Sequence, residues 1–178
     1  GSLTFVAGQT MTGNKQNVKS GDVGTLTEAD SGALVSLSGG ARTLVLPATL
    51  PPADHTNCYL IGDPNGEFII VDPAVRYRED MESLADAVQR HNGEPIAIAF
   101  THSHGDHLAD MGLISEAFDL PVWGSEYTSR SVDCDRILVD GEILQLGNQA
   151  WQVLITPGHH PGHTCFLSDA GLVAGDML

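Results

Sequence analysis

Four residues that can bind a metal ion lie close together near the middle of the chain: His102, His104, Asp106 and His107. They follow a short apolar run that is typical of a buried strand. Side chains two positions apart on an extended segment point to the same side, so His102 and His104 can bind one ion. Gly105 allows a sharp turn that presents the other two residues to a neighbouring position. Imidazole and carboxylate ligands suit zinc, and also iron or manganese.

A second group of histidines follows another predicted strand. The loop at residues 156–163 contains His159, His160 and His163 between Pro-Gly turns, which hold the imidazoles in a rigid loop. Asp176 follows a further apolar run, in a Gly-Asp turn. At a strand end the sheet fixes the backbone, while the loop leaves coordination positions open for water and substrate. The two groups together therefore indicate a metal site.

The rest of the sequence predicts a mixed α/β fold that presents these segments on loops. Helices are predicted at residues 76–91 and 108–118, where apolar residues recur at helical spacing. Short apolar runs between turn signals predict the strands, at residues 58–61, 68–71, 95–100, 122–123, 137–139, 143–146, 151–155 and 172–174.

The first part of the chain differs from the remainder. Residues 1–42 are interpreted as an N-terminal extension with some β-structure, and residues 43–178 as the main domain. Two short β-like runs, at residues 33–37 and 43–46, lie on either side of a Gly-Gly turn.

Charge and composition narrow the class of partner. The chain has 23 acidic and 8 basic residues and a net charge of −15, which repels phosphate backbones and disfavours nucleic acid. The charge therefore argues against a nucleic-acid partner; separately from the charge, a small-molecule substrate is the expected partner. His55 and His91 lie outside both histidine groups and are predicted to be surface residues.

The cysteine pattern and the absence of long apolar runs bear on location. The three cysteines have neither a CxxC spacing nor an even count, which favours free thiols in a reducing compartment. No apolar run approaches the length of a membrane span, and the N-terminus lacks the pattern of a secretion signal. We therefore expect a cytoplasmic protein.

These segments, in this order and at about this spacing, resemble the metallo-β-lactamase superfamily. The resemblance extends from about residue 43 to the end of the chain. It implies an αββα sandwich with a dinuclear metal site between the sheets. The matching segments are His102-x-His104-x-Asp106-His107, Thr156-Pro157-Gly158-His159, Gly175-Asp176, Asn57-Cys58-Tyr59-Leu60-Ile61 and Ile69-Ile70-Val71-Asp72-Pro73.

The resemblance also implies a role for each matching residue. His102, His104 and His159 would bind the first metal, and Asp106 and His107 would bind the second. Two zinc ions are the expected cofactors, and iron or manganese also suits these ligands.

The resemblance also implies roles for other residues in or near these motifs. Asp176 would bridge the two metals, whereas Asp72 and His163 would orient the ligand imidazoles. His160 stands where the family usually has Thr or Ser and is expected at the rim of the pocket. Cys165 does not match the cysteine ligand of true metallo-β-lactamases, so it is expected to be buried and inert.

The activity implied by the resemblance is hydrolysis of a thioester, ester or lactone by a metal-bound hydroxide. Two metals lower the pKa of a bridging water towards about 7, and Asp106 would orient this nucleophile. β-Lactam hydrolysis and a phosphodiesterase or nuclease activity on the same site stay open. An iron-dependent oxygenase of the same fold also stays open, because these ligands can bind iron.

The position of the last residue leaves one further alternative. The family usually continues beyond the Gly-Asp motif with strands, a helix and another histidine for the second metal, whereas this sequence ends at Leu178. We therefore expect a fold that is truncated at the C-terminus, and a non-catalytic domain remains an alternative. A truncated sandwich exposes apolar surface, which favours pairing with another copy of the chain.

Overall fold

A computed structural model of the chain describes residues 55–177 and, before them, the backbone of short strand segments that lie between Thr4 and Pro47. The helices within these residues are α1 (Arg78–Arg90) and α2 (Met111–Ala117), and a short 3-10 helix spans Thr128–Arg130. The strands within them are β1 (Thr4–Phe5), β2 (Gln9–Thr12), β3 (Val18–Gly21), β4 (Gly24–Thr25), β5 (Leu34–Ser36), β6 (Arg42–Pro47), β7 (His55–Gly62), β8 (Glu67–Val71), β9 (Glu94–Ala99), β10 (Val122–Gly124), β11 (Arg136–Ile137), β12 (Ile143–Leu146), β13 (Gln149–Ile155), β14 (Thr164–Ser168) and β15 (Gly171–Val173).

The described strands form two main sheets and one small ribbon. The first sheet has the order β11-β10-β9-β8-β7-β6-β5-β2-β3, and β8, β9 and β10 in it are parallel neighbours. Helix α1 connects β8 to β9 and α2 connects β9 to β10, as parallel pairing requires a crossover. The second sheet is antiparallel, with the order β12-β13-β14-β15, and β1 and β4 form the ribbon.

Alternating side chains of the first sheet supply two separate cores. Phe68 and Ile70 pack with the helices on one face, whereas Ile69 and Val71 pack against the second sheet on the other. All four side chains are fully buried, which explains why this strand has a continuous apolar sequence. Phe166 of β14 is among the residues that meet them from the second sheet.

The two helices begin later in the chain than the sequence predicts, and a carboxylate binds backbone amide groups at the start of each. Asp80 accepts hydrogen bonds from the backbone N–H groups of Arg76 (3.1 Å) and Tyr77 (3.0 Å), and α1 begins at the next residue, Arg78. Asp110 binds the free amide groups of the first turn of α2 in the same way. The helices themselves lie where the periodicity predicts them.

Strand β14 is an element that the sequence does not predict. Its five residues follow directly on the histidine-rich loop, without a turn signal that would separate them from it. Pairing with β13 on one side and β15 on the other makes β14 a central strand of the second sheet. The loop at residues 156–163 is thus the connection of a β13–β14 hairpin.

The first sheet also continues across the predicted domain boundary. The predicted runs at residues 33–37 and 43–46 correspond to β5 and β6, and β6 pairs with β7 along its whole length. Strands β2 and β3 extend the same sheet. The division between residues 42 and 43 stays a prediction.

The prediction that His91 is a surface residue is wrong. Its side chain is fully buried, and the ring packs edge-on against Phe68 with 4.2 Å between the ring centroids. The reason is that α1 ends directly over the first sheet, so the residue that follows the helix turns inward. The side chain of His55 lies outside the described residues.

The cysteines have the expected chemical state. Cys58, Cys134 and Cys165 are all free thiols. Cys165 is buried, as predicted, and its sulfur lies 3.6 Å from the carbonyl oxygen of Ala174. No disulfide bond therefore contributes to the fold.

The mixed α/β class is confirmed, and the described residues supply three layers: helices, first sheet and second sheet. No helix within residues 55–177 covers the outer face of the second sheet, where Ile143, Leu167 and Leu172 are exposed. Over the part of the chain that the structure describes, no helix is long and apolar enough to cross a membrane.

Replacing Phe166 with Ala should lower the free energy of unfolding by about 3–5 kcal/mol, because it opens a cavity between the two sheets. Leu167→Ala is the matched control on the same strand, since that side chain points to the other face and is 40% exposed. The control should lose less than about 1 kcal/mol. Denaturant titration of both variants measures the difference, and equal losses would contradict the assigned packing.

Candidate metal centre

Strand ends from both sheets meet at one edge of the sandwich. The loop at residues 100–107 follows β9, and the loop at residues 156–163 follows β13. A hydrogen bond of 2.7 Å from the Thr164 amide to the Thr101 carbonyl joins the two sheets at this point. The first histidine group is therefore held by the first sheet, and the second group by the second sheet.

Three imidazoles converge in the first cluster of metal-binding atoms. Nδ1 of His104 lies 3.1 Å from Nε2 of His102 and 2.9 Å from Nε2 of His159. In a tetrahedral zinc site with bonds of about 2.0 Å, the ligand atoms are about 3.3 Å apart. Both distances are close to the spacing that one shared ion would impose, and all three nitrogens lie within 4.8 Å of one another.

His102, His107 and Asp176 form a second cluster, whose potential ligand atoms all lie within 4.8 Å of one another. One carboxylate oxygen of Asp176 lies 3.2 Å from Nε2 of His107, and the other lies 3.5 Å from Nε2 of His159. Asp176 thus faces both clusters, which is the position that a bridging ligand occupies.

Asp106 is the predicted ligand that the structure does not bring into either cluster. It is half-buried on the same loop, and its charge contributes to the raised pKa of His107. The expected second-metal pair of Asp106 and His107 is therefore brought together only in part. Its ligand role and its catalytic role both stay predictions.

The pKa values of two imidazoles in the centre are shifted in opposite directions. Burial, followed by the charges of His107 and His104, lowers the pKa of His102 to about 2. Burial would also lower the pKa of His107, but the nearby carboxylate of Asp72, with those of Asp176 and Asp106, raises it to about 9. A metal ion needs unprotonated imidazole nitrogens and would displace the proton from His107 Nε2.

Asp72 connects the first sheet to the ligand loop. Its carboxylate accepts hydrogen bonds from the amide (2.7 Å) and hydroxyl (2.6 Å) of Thr101 and lies 2.9 Å from His107 Nδ1. The residue is fully buried and has a φ of 49°, in the left-handed region that non-glycine residues rarely adopt. This backbone conformation places the carboxylate beside His107 Nδ1, where it can orient that ring; its role toward a metal ligand stays a prediction.

Thr101 determines which nitrogen of His102 is free. Because its hydroxyl donates to Asp72, it accepts from His102 Nδ1, which lies 3.0 Å away. The proton therefore resides on Nδ1, and the lone pair of Nε2 faces His104. The resulting chain from carboxylate to hydroxyl to imidazole holds the ring in its metal-binding tautomer.

His163 supports the other side of the centre by holding Asp176. Its Nε2 accepts a hydrogen bond of 3.2 Å from the Asp176 amide, and its Nδ1 lies 3.1 Å from the Thr156 hydroxyl. Gly175, with a φ of 50°, lies between them, and a Cβ there would come within 2.7 Å of His163 Nε2. Only glycine therefore allows Asp176 to reach the cluster.

His160 joins the two ligand loops. Its Nδ1 accepts from the Gly162 amide (3.2 Å), and its Nε2 lies 3.2 Å from the hydroxyl of Ser103, between two ligands of the other loop. Ser125 adds a third segment, because its hydroxyl donates to the Gly162 carbonyl at 2.7 Å. His160 is half-buried at the margin of the cluster and belongs to neither potential metal group.

No role in the site is predicted from the sequence for the hydroxyl residues that support the imidazoles. For two of them, the sequence pattern could have indicated such a role. Thr156 follows β13 directly and Thr101 follows β9 after one residue, and each stands at the start of a histidine motif. A hydroxyl at that place can bind either a carboxylate or an imidazole. Ser103 and Ser125 have no comparable signal, because their partners come from distant parts of the chain.

Comparison with known proteins supports this interpretation of the centre. Residues 51–178 match the family described as the Metallo-beta-lactamase superfamily. A β-lactamase domain protein from Burkholderia ambifaria has a similar structure, with a TM-score of 0.68 and 22% identity over 83% of this chain. The chain spans only 58% of the length of that protein.

Two other solved structures are similar at slightly higher identity. BLEG-1, a B3 metallo-β-lactamase, has 26% identity and a TM-score of 0.57, over 76% of this chain and 72% of its own. ETHE1 from Myxococcus xanthus has 25% identity and a TM-score of 0.61, over 76% of this chain and 57% of its own. Together with the histidine cluster, these matches indicate a metal-binding site of this fold.

His159→Ala should lower the affinity for a divalent metal by at least about 100-fold, because it removes one of three converging nitrogens. The residue lies on an exposed loop and 34% of its side chain is accessible, so the fold should survive. His160→Ala, at the neighbouring residue, is the matched control, and its affinity for the metal should fall less than about 10-fold. Chelator competition with elemental analysis measures both, and equal losses would contradict the ligand assignment.

Thr101→Val should lower the metal affinity about 10- to 100-fold, because it removes the hydroxyl between Asp72 and His102 while keeping the shape. Thr101→Ser should restore most of the affinity, since it returns the hydroxyl. The same chelator competition applies. If the Val variant binds metal like the unaltered chain, the hydroxyl does not orient His102.

Proposed function

The chain belongs to the metallo-β-lactamase superfamily, and from that membership we propose that it is a metal-dependent hydrolase of a small-molecule thioester, ester or lactone. The observation that supports this most is the convergence of His102, His104 and His159, with Asp176 facing both clusters. Two zinc ions are the proposed cofactors, since imidazole and carboxylate ligands suit zinc. When bound, they would supply an activated water and polarise the substrate carbonyl.

The side chains of this protein prepare the centre for that chemistry. Thr101 keeps the Nε2 lone pair of His102 turned towards the cluster, and Asp72 does the same for the Nε2 of His107. His163 fixes the backbone of Asp176. Because these partners are buried, the ligands need little reorganisation when the metal or substrate binds.

Asp106 is proposed as the residue that orients the attacking water and accepts its proton. It lies on the ligand loop directly before His107 and is half-buried. Within the described residues no hydrogen bond or ion pair occupies its carboxylate, so it remains available to a water in the site. A carboxylate in that position can act as a general base.

β-Lactam hydrolysis is the second candidate activity. BLEG-1, at 26% identity, is a B3 metallo-β-lactamase. A thioester or lactone carbonyl is attacked in the same way, so a substrate panel separates these activities. An iron-dependent oxygenase draws support from the second cluster, because two imidazoles and one carboxylate are the donor set of non-haem iron.

Removing the metal with a chelator should abolish hydrolysis, and adding zinc back should restore it. The panel contains a thioester, a lactone, a β-lactam and a phosphodiester, and we expect turnover of the thioester or lactone. His159→Ala should lose this activity, whereas His160→Ala should retain it. Hydrolysis by metal-free protein would overturn the proposal. Iron dependence with oxygen consumption would favour the oxygenase instead.

A further inference from the structure

Arg76 differs from the other arginines of the described residues. Four of these five side chains have a carboxylate partner within 4.0 Å, whereas Arg76 has none there and instead donates to the backbone carbonyl of Gly105. The paired arginines are Arg78 with Glu116, Arg90 with Asp86, Arg130 with Glu126 and Arg136 with Glu142. In a chain with a net charge of −15, a cation without a carboxylate partner needs an explanation.

The position of Arg76 supplies that explanation. Gly105 lies between His104 and Asp106, so the guanidinium group contacts the loop that carries the first histidine group. A Cβ at Gly105 would lie 3.6 Å from Nη2 of Arg76, so the two groups are in contact. The rest of the arginine is exposed, and the fork of N–H groups can bind a second partner from solvent.

The backbone of Arg76 is held in place before any ligand binds. Asp80, itself largely buried, accepts hydrogen bonds from the amides of Arg76 and Tyr77 at 3.1 and 3.0 Å. These bonds use the carboxylate of Asp80 and fix the segment between β8 and α1. Fixing the backbone reduces the conformational entropy that the arginine loses on binding.

We propose that Arg76 binds a carboxylate group of the substrate, and that the enzyme therefore acts on anionic rather than neutral thioesters, esters or lactones. This inference rests on the proposed hydrolase function. A guanidinium group binds carboxylate through two parallel hydrogen bonds, which gives both orientation and affinity. The acidic surface otherwise repels such a substrate, so a local cation beside the centre decides whether it binds.

A purely structural role for Arg76 makes a different prediction. If the residue only ties the Gly105 carbonyl, its loss alters the ligand loop and affects every substrate equally. If it binds the substrate, its loss affects only substrates that have a carboxylate. Two substrates that differ in charge alone therefore separate these roles.

The test uses zinc-loaded protein and two thioesters of equal length, S-acetyl-3-mercaptopropionate and its neutral amide. For Arg76→Gln, the kcat/KM of the anionic thioester should fall about 10- to 100-fold, mainly through KM, because a charged hydrogen bond is lost. The kcat/KM of the same variant for the neutral amide should change less than about threefold. Arg76→Lys should be intermediate, because it keeps the charge without the fork. Arg90→Gln is the matched control at the far end of α1 and should change neither substrate.

The proposal would be overturned if Arg76→Gln lowered the kcat/KM of both thioesters by the same factor. It would also be overturned if the variant left the kcat/KM of both unchanged. Calorimetric binding of the two compounds to the same variants gives a readout that needs no turnover. If the unaltered chain hydrolyses neither compound, the hydrolase proposal fails for thioesters, and the binding comparison still decides the role of Arg76. Binding of the anion that does not depend on Arg76 would then overturn the inference.

Discussion

Asp72 buries a carboxylate at the point where β8 leaves the first sheet, and three donor groups surround it. A buried charge without partners is costly, so this residue, Thr101 and His107 must adopt one arrangement together. The left-handed backbone at Asp72 is maintained by the same contacts and by a hydrogen bond that its backbone N–H donates to the carbonyl of Ala99. The orientation of His102, through Thr101, follows from that single group.

The second sheet contributes its ligands through a similar but separate arrangement. His163 bonds to the Asp176 amide on one side and to Thr156 on the other, and Gly175 leaves the space that this contact requires. The two halves meet where His159 approaches the ligands of the first sheet. Packing between the sheets therefore sets the distances between these side chains.

The sequence allowed much of this centre to be predicted, because metal ligands need particular side chains at fixed spacing. The His102–His107 segment and the 156–163 loop identified the family and the strands that precede them. Strand β14 and the burial of His91 could not be predicted in the same way. Both depend on which distant segment packs against a short run, and local propensity contains no such information.

The sequence by itself determined the chemistry of the protein: which residues can bind a metal, and that they follow strands in a mixed α/β chain. Only the tertiary structure decided how they combine. It placed Asp176 between two clusters, left Asp106 outside both, and brought Arg76 beside Gly105. The physical reason is that ligand type is a property of single side chains, whereas distances of about 3 Å between residues far apart in sequence result from the packing of whole sheets.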